Sequence, residues 1–242
     1  MPPLFGRKKK PLSPRCTAVV PAAGSSTRME GRDKVLLQLG DYPVLARTLR
    51  ALCDCALIHE IVVVTREELI VPISQMCRDF ELDKVSHIVV GGETRTQSVL
   101  NGIRQADPSS ELIAIHDGAR PFVTQEVLEA VIRKAADHGA AAPAVPVTDT
   151  IKRARGGVVE ETLDRDTLFA VQTPQVFEAS LIKAALQKAV EEGAALTDDC
   201  AAVERLGMSV ALTQGDPANL KLTTPVDLDL GLGILNGRGE FV

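Results

Sequence analysis

The chain has 242 residues, 45% of them apolar and 24% charged, which suits one α/β domain with a large core and excludes a disordered, collagen-like or coiled-coil protein. The formal net charge is −5, yet Arg7, Lys8, Lys9, Lys10 and Arg15 stand in the first 15 residues without an acid, and beyond them 22 basic residues face 32 acidic ones, a balance of −10. So acidic a body, with no Trp, one Tyr and six Phe, lacks both the cations that neutralise a nucleic-acid backbone and the rings that stack on single strands, so no nucleic-acid partner is expected.

The head at residues 1–15 is proline-rich and lacks the apolar run of a secretory signal, so a flexible tail is expected there and a single domain over 16–242. From Cys16 onward, short apolar runs alternate with amphipathic stretches. In chain order the pattern predicts a strand at 18–20, a helix at 43–52, a strand at 61–65, a helix at 67–80, a strand at 87–90, a helix at 94–105, a strand at 112–115 and a helix at 126–138 with Thr124 as its N-cap. This β-α-β-α order implies a three-layer α/β/α sandwich, Rossmann-like, on a mostly parallel sheet.

After residue 140 the order changes. A strand is expected at 141–147, and 148–161 is polar with Gly156-Gly157 at its centre, the signature of a hairpin. Such an arm, about 148–165, has little core of its own, and a second subunit packing on it is the expected source of stability. Helices follow near 178–191 and 198–206, then a strand at 209–213 and a helix at 225–235. No apolar run reaches the roughly 20 residues that span a bilayer, so no membrane partner is expected. The five cysteines form no C-x-x-C pair, which suits reduced cytoplasmic thiols.

The first strand runs into Pro21-Ala22-Ala23-Gly24-Ser25-Ser26-Thr27-Arg28, with Lys34 six residues later. Small side chains just past a strand's carboxyl end let backbone N–H groups approach phosphate oxygens, and Arg28 and Lys34 add positive charge beside them. Neither G-x-G-x-x-G nor the Walker pattern G-x-x-x-x-G-K-[ST] occurs in the chain. A second strand ends in His116-Asp117 with Arg120 three residues on. An acid at that position, next to a phosphate-binding loop, suits Mg²⁺, which takes one or two carboxylates plus phosphate oxygens. His116 reads as a packed strand residue.

Seven segments then occur in a telling order: Val20-Pro-Ala-Ala-Gly24 with Arg28 and Lys34, Gly91-Gly-Glu-Thr-Arg-Thr-Gln-Ser98, His116-Asp-Gly-Ala-Arg-Pro121, Asp149-Thr-Ile-Lys152, Gln172-Thr-Pro-Gln175, Leu196-Thr-Asp-Asp199 and Asn219-Leu-Lys-Leu-Thr223. Together they resemble the 2-C-methyl-D-erythritol 4-phosphate cytidylyltransferase family over about residues 16 to 235. The resemblance implies transfer of a cytidylyl group from CTP to 2-C-methyl-D-erythritol 4-phosphate, with release of pyrophosphate, in non-mevalonate isoprenoid biosynthesis. It implies catalytic roles for Arg28, Lys34 and Lys221, and nucleotide contacts from Pro21, Ala22, Ala23, Gly24, Gly91, Gly92, Ser98, Asp117 and Gly118. Asp117 would hold Mg²⁺ or another divalent cation, while Arg120, Thr150, Arg165, Thr173 and Thr197, with Lys152, would form the second-substrate half. The arm of this family reaches a neighbouring subunit's site, so a homodimer is implied.

Two positions depart from the family's pattern: Asp33 stands where Pro or Asn is usual, beside Lys34, and Gly118 stands where Ala is usual. Asp33 could pair with Lys34 or shift the loop. Arg95 reads equally as a site residue or a solvated helix residue, and Asp149, Asp198 and Asp199 as helix caps or hairpin charges. A sister enzyme acting on ribitol 5-phosphate shares most of these motifs, and a non-catalytic nucleotide-binding protein is disfavoured by the joint presence of Arg28, Lys34, Asp117 and Lys221.

Overall fold

Alternation along the first strand assigns each of its neighbours to a layer. In the computed structural model, which describes residues 14–24 and 33–240, β1 (Cys16–Pro21) turns Ala18 and Val20 to one face of the sheet and Val19 to the other. A 3-10 turn (Lys34–Leu36) and a small hairpin of β2 (Gln38–Leu39) and β3 (Tyr42–Pro43) lead into α1 (Val44–Asp54). Then come β4 (Ile58–Thr65), a 3-10 turn (Glu67–Leu69), α2 (Ile70–Asp79), β5 (Val85–Val90), α3 (Arg95–Gln105), β6 (Leu112–Ile115) and α4 (Gln125–His138). The second half holds β7 (Ala140–Pro146), β8 (Lys152–Arg155), β9 (Val158–Thr162), β10 (Phe169–Val171), β11 (Gln175–Glu178), α5 (Ala179–Glu191), α6 (Cys200–Glu204), β12 (Ala211–Gln214) and α7 (Pro225–Gly237).

The sheet runs in the order β10-β7-β11-β6-β1-β4-β5, with β12 on β7. The strands β6, β1, β4 and β5 pair in parallel, as does β12 with β7, whereas β11 is antiparallel to β6 and β7 and β10 is antiparallel to β7. One buried cluster joins Ala18, Val20 and Val63 to Leu45 and Leu49 of α1, Ile73 of α2 and Leu128 of α4. The opposite cluster joins Val19, Val64, Ile113 and Phe177 to Val99 of α3, Ile182 of α5 and Val203 of α6. The result is the mostly parallel α/β/α sandwich expected from the sequence.

Gly102 sets how close α3 lies to the sheet, since a methyl there would fall 2.5 Å from Val19 Cγ1 and 2.7 Å from Val64 Cγ2. The hairpin forms on Gly156 and Gly157, both at positive φ (57° and 81°), as a two-residue turn that matches strand twist requires. Its strands β8 and β9 are exposed and make a separate sheet.

Several boundaries differ from expectation. The helix expected at 67–80 begins as a 3-10 turn and becomes α-helical at Ile70, with Pro72 in its first turn, where a missing N–H costs little. The strand expected at 209–213 lies at Ala211–Gln214. Strands β10 and β11 were not expected at all: they are three and four residues long, flank Pro174, and exist because β7 supplies a partner for both.

Candidate active site

The parallel strands β1, β4, β5 and β6 all deliver their carboxyl ends to one cleft of about 620 Å³, the place where open α/β sheets bind ligands. At the end of β1 it is lined by Pro21, Ala22, Ala23 and Gly24, at the end of β4 by Thr65 and Arg66, past β5 by Gly91 and Gly92, and past β6 by Asp117 and Gly118; Lys34, Arg95, Ser98 and Lys221 also line it, as do the acids Glu67, Glu68 and Glu93. Backbone hydrogen bonds carry the sheet's register into these turns, from Ala22 N to Val64 O (2.7 Å), Gly91 N to Thr65 O (2.8 Å) and Gly118 N to Pro21 O (3.2 Å). A methyl at Gly118 would lie 3.1 Å from Leu45 Cδ1 and 3.3 Å from Ala22 Cβ, so the usual Ala would fit only after the neighbours give by a few tenths of an ångström.

The β5 turn is shaped by a buried hydroxyl. Ser98 Oγ accepts from Gly92 N (3.0 Å) and donates to Thr94 O (2.9 Å), while Thr94 and Gln97 close a reciprocal capping box at the start of α3. That cap fixes the first turn of α3, which carries Arg95 over the cleft.

Asp117 is the electrostatic centre. Its carboxylate lies 2.8 Å from Lys221 Nζ, 3.5 Å from Arg120 Nε and 3.7 Å from an Arg95 guanidinium nitrogen. Burial alone would raise its pKa, but Lys221, Arg95 and Arg120 outweigh that and hold it at about 2. It is therefore ionised at neutral pH. Arg95 is in turn gripped by both carboxylate oxygens of Asp199, at 2.9 and 2.7 Å. Burial by itself would lower the Arg95 guanidinium's pKa; Asp199 and Asp117 raise it instead. Of the two readings left open for Arg95, the geometry shows a cleft residue, and Asp199 is its partner.

Gln175 of β11 organises that partner, its Oε1 accepting from Asp199 N (2.9 Å) and Cys200 N (3.0 Å) and its Nε2 donating to Asp198 Oδ2 (2.8 Å). Asp198 Oδ1 also accepts from Ala201 N (3.0 Å), a cap on α6.

His116 is fully buried, as a packed strand residue should be. Burial pushes its pKa down to about 4, so the ring is neutral. Nε2 donates to Arg120 O (3.2 Å), which leaves Nδ1 to accept from the Thr173 hydroxyl (3.0 Å); Thr173 Oγ1 accepts in turn from Asp117 N (3.1 Å). Asn219 joins the same knot, donating to Thr173 O (2.9 Å) and accepting from Arg120 through its carbonyl (2.7 Å). Thr173 and Arg120 thus stand directly behind Asp117, with the Thr173 hydroxyl engaged on both sides.

The structure does not bring every expected residue to the cleft. Thr150 and Thr197 are exposed and do not line it, and Arg165, also exposed, donates to Thr148 O (2.9 Å). Arg28 lies outside the described residues, as does most of the basic head. Asp33 forms an ion pair with Arg66, whose Nε lies 2.9 Å from Glu68, so this extra carboxylate ties the Lys34 turn to the end of β4. Arg66 was missed from sequence; its place directly after an apolar strand is the same signal that exposed Asp117.

Asp117 offers the cleft one ionised carboxylate. Among the described residues no group of three or more His, Cys, Asp or Glu could form a protein cage. One carboxylate beside a turn of small residues is the kind of ligand set Mg²⁺ takes, since it keeps part of its shell for waters and phosphates; in this structure that carboxylate is paired with the Lys221 ammonium at 2.8 Å.

Comparison with known proteins identifies the family and the fold. Residues 16–236 match the model of the family described as 2-C-methyl-D-erythritol 4-phosphate cytidylyltransferase. A 2-C-methyl-D-erythritol 4-phosphate cytidylyltransferase of Caldanaerobacter subterraneus is 47% identical over 219 residues, 88% of this chain and 95% of that protein; one of Halalkalibacterium halodurans is 43% identical over 220 residues, 90% and 96%. Among solved structures, 4-diphosphocytidyl-2C-methyl-D-erythritol synthase of Anaerococcus prevotii superposes with a TM-score of 0.82 at 30% identity, covering 92% of this chain and 96% of that one. The Thermus thermophilus cytidylyltransferase superposes with a TM-score of 0.75 at 32% identity, covering 90% and 98%.

Proposed function

Because the chain belongs to the 2-C-methyl-D-erythritol 4-phosphate cytidylyltransferase family, it is a nucleotidyltransferase that moves a cytidylyl group from CTP to 2-C-methyl-D-erythritol 4-phosphate in isoprenoid biosynthesis, and we propose that the cleft at the ends of β1, β4, β5 and β6 is where it does so. The observation that carries this is the ionised Asp117 with Lys221, Arg95 and Arg120 around it, set beside a turn of small residues in the same cleft. The substrate's phosphate oxygen attacks the α-phosphorus of CTP in line and pyrophosphate leaves. A phosphate monoester is already anionic near neutral pH, so the protein's work is positioning and charge neutralisation.

In this reading Pro21, Ala22, Ala23 and Gly24 cradle the triphosphate through backbone groups, with Arg28 and Lys34 placed on the charge that develops at phosphorus. Gly91, Gly92, Ser98 and Gly118 border the nucleoside, where backbone polar groups and small side chains select cytosine without an aromatic platform. Asp117 holds the divalent cation, Mg²⁺ in the first instance, which when bound adds charge neutralisation to the triphosphate. Lys221 is assigned to the polyol phosphate, while Arg120 and Thr173 act from behind Asp117, holding it in place.

Thr150, Lys152 and Arg165 on the arm complete a site of the neighbouring subunit in a homodimer. The support is chemical: Val158, Val159, Phe169 and Val171 on and beside the arm are exposed large apolar side chains, which a partner surface would cover. Residues 16–242 act as one catalytic domain and 1–15 as its basic tail. No helix among the described residues is long and apolar enough to cross a membrane, and the five cysteines are unpaired, which supports a cytoplasmic enzyme.

The test is pyrophosphate release from CTP and Mg²⁺ with 2-C-methyl-D-erythritol 4-phosphate or ribitol 5-phosphate. Turnover with the first is expected; turnover with ribitol 5-phosphate alone would overturn the substrate assignment.

A further inference from the structure

We propose that in the free enzyme Lys221 occupies the face of the Asp117 carboxylate that a divalent cation takes during the reaction, so that cation entry requires the lysine to leave. This rests on the reading of Asp117 as the cation's ligand. Among the described residues three cations surround that carboxylate, and the structure distinguishes them by how they are held. Arg95 is fixed by the bidentate grip of Asp199. Arg120 is 14% exposed and anchored on Asn219 O at 2.7 Å. Lys221 makes the shortest contact, 2.8 Å to Oδ2, yet its side chain is 40% exposed and lines the open cleft.

Lys221 is thus the cation able to move. Its backbone stays in place, because Leu222 N donates to Ala119 O (2.9 Å) and Leu222 is buried, so the exchange needs only rotation of a flexible four-carbon stem bearing a compact charge. An ammonium and a divalent cation cannot share one carboxylate oxygen without strong repulsion in a partly desolvated site. Displacement also has a direction: the departing ammonium remains at the cleft, where the incoming phosphates are the nearest new counter-charge. Cation arrival at Asp117 and delivery of Lys221 to an anionic substrate are then one event, which discourages occupation of the site by the metal alone.

The experiment measures Mn²⁺ binding to the enzyme without nucleotide, from the paramagnetic resonance signal of unbound Mn²⁺. Lys221→Gln and Lys221→Ala are expected to bind Mn²⁺ at least about tenfold more tightly than the wild type, the competing charge having been removed. Adding Asp117→Asn to Lys221→Gln is expected to abolish the gain. Equal or weaker affinity in both Lys221 variants, with native far-ultraviolet dichroism, would overturn the proposal, as would a gain that survives Asp117→Asn. Failure of the wild-type transfer assay would instead overturn the functional reading, which Mn²⁺ affinity does not report.

Discussion

Asp199 takes both terminal nitrogens of Arg95, at 2.7 and 2.9 Å, across 104 residues of chain, and thereby turns Arg95 toward Asp117 instead of solvent. Asp199→Asn removes the charge that holds the guanidinium. Arg95 is 38% exposed and can turn to water, so the expected cost is about 1–2 kcal/mol, read from urea unfolding, together with a fall in kcat/KM. A variant with wild-type stability and wild-type kinetics would show that the pair positions nothing.

Lys34→Ala should leave the unfolding midpoint close to that of the wild type, since Lys34 is carried on a three-residue turn at the cleft wall. Loss of charge stabilisation at the reacting phosphorus is expected to lower kcat by about 10²–10³-fold. Single-turnover measurement at saturating CTP checks this, and an unchanged rate would remove Lys34 from the catalytic set.

His116 makes native stability sensitive to pH in a defined window. Its pKa is about 4 in the folded chain against an ordinary 6.5, so between those values the unfolded chain binds a proton that the native state refuses. Stability present above pH 6.5 is lost as pH falls toward 4, by about 3 kcal/mol over the window. His116→Asn, which keeps an acceptor near the Thr173 hydroxyl, should flatten that part of the profile. Parallel pH slopes for the two proteins in urea unfolding would contradict it.

Subunit mixing tests the arm. Neither Lys34→Ala nor Arg165→Ala homodimers should turn over well, but random exchange should restore about a quarter of wild-type activity, because half the dimers are hybrids with one intact site. Absence of recovery, with exchange verified by mass, would place Arg165 outside a shared site.

Gly102→Ala drives a methyl into Val19 and Val64 at 2.5 and 2.7 Å, both of them buried. The expected destabilisation is about 1–3 kcal/mol, measured by thermal or chemical unfolding, while the cleft residues past β1 and β4 keep their backbone bonds. A neutral effect would mean that α3 can move outward freely.

Much of the architecture was legible residue by residue. The strands at 18–20, 61–65, 87–90 and 112–115 are short apolar runs that end in charged or small residues, so they announce themselves locally, and α4 does the same through Thr124, whose side chain accepts from Val127 N. The small-residue turn after β1 and the acid after β6 were visible for the same reason: a strand's end is marked in its own sequence. The antiparallel strand β11 was not, since nothing in Gln175-Val-Phe-Glu178 carries a strand signal until β6 and β7 lie on either side of it.

By itself, then, the sequence determined the layers, the small-residue turn after β1 and the acid after β6, because periodicity, turn chemistry and strand ends are local properties. Tertiary structure alone decided the charge arrangement: Arg66 on Asp33, Arg95 on Asp199, Lys221 on Asp117. Coulomb energies depend on separations of a few ångströms between groups 33 to 104 residues apart in the chain, and only the folded sheet, with β11 inserted between β6 and β7, sets those separations.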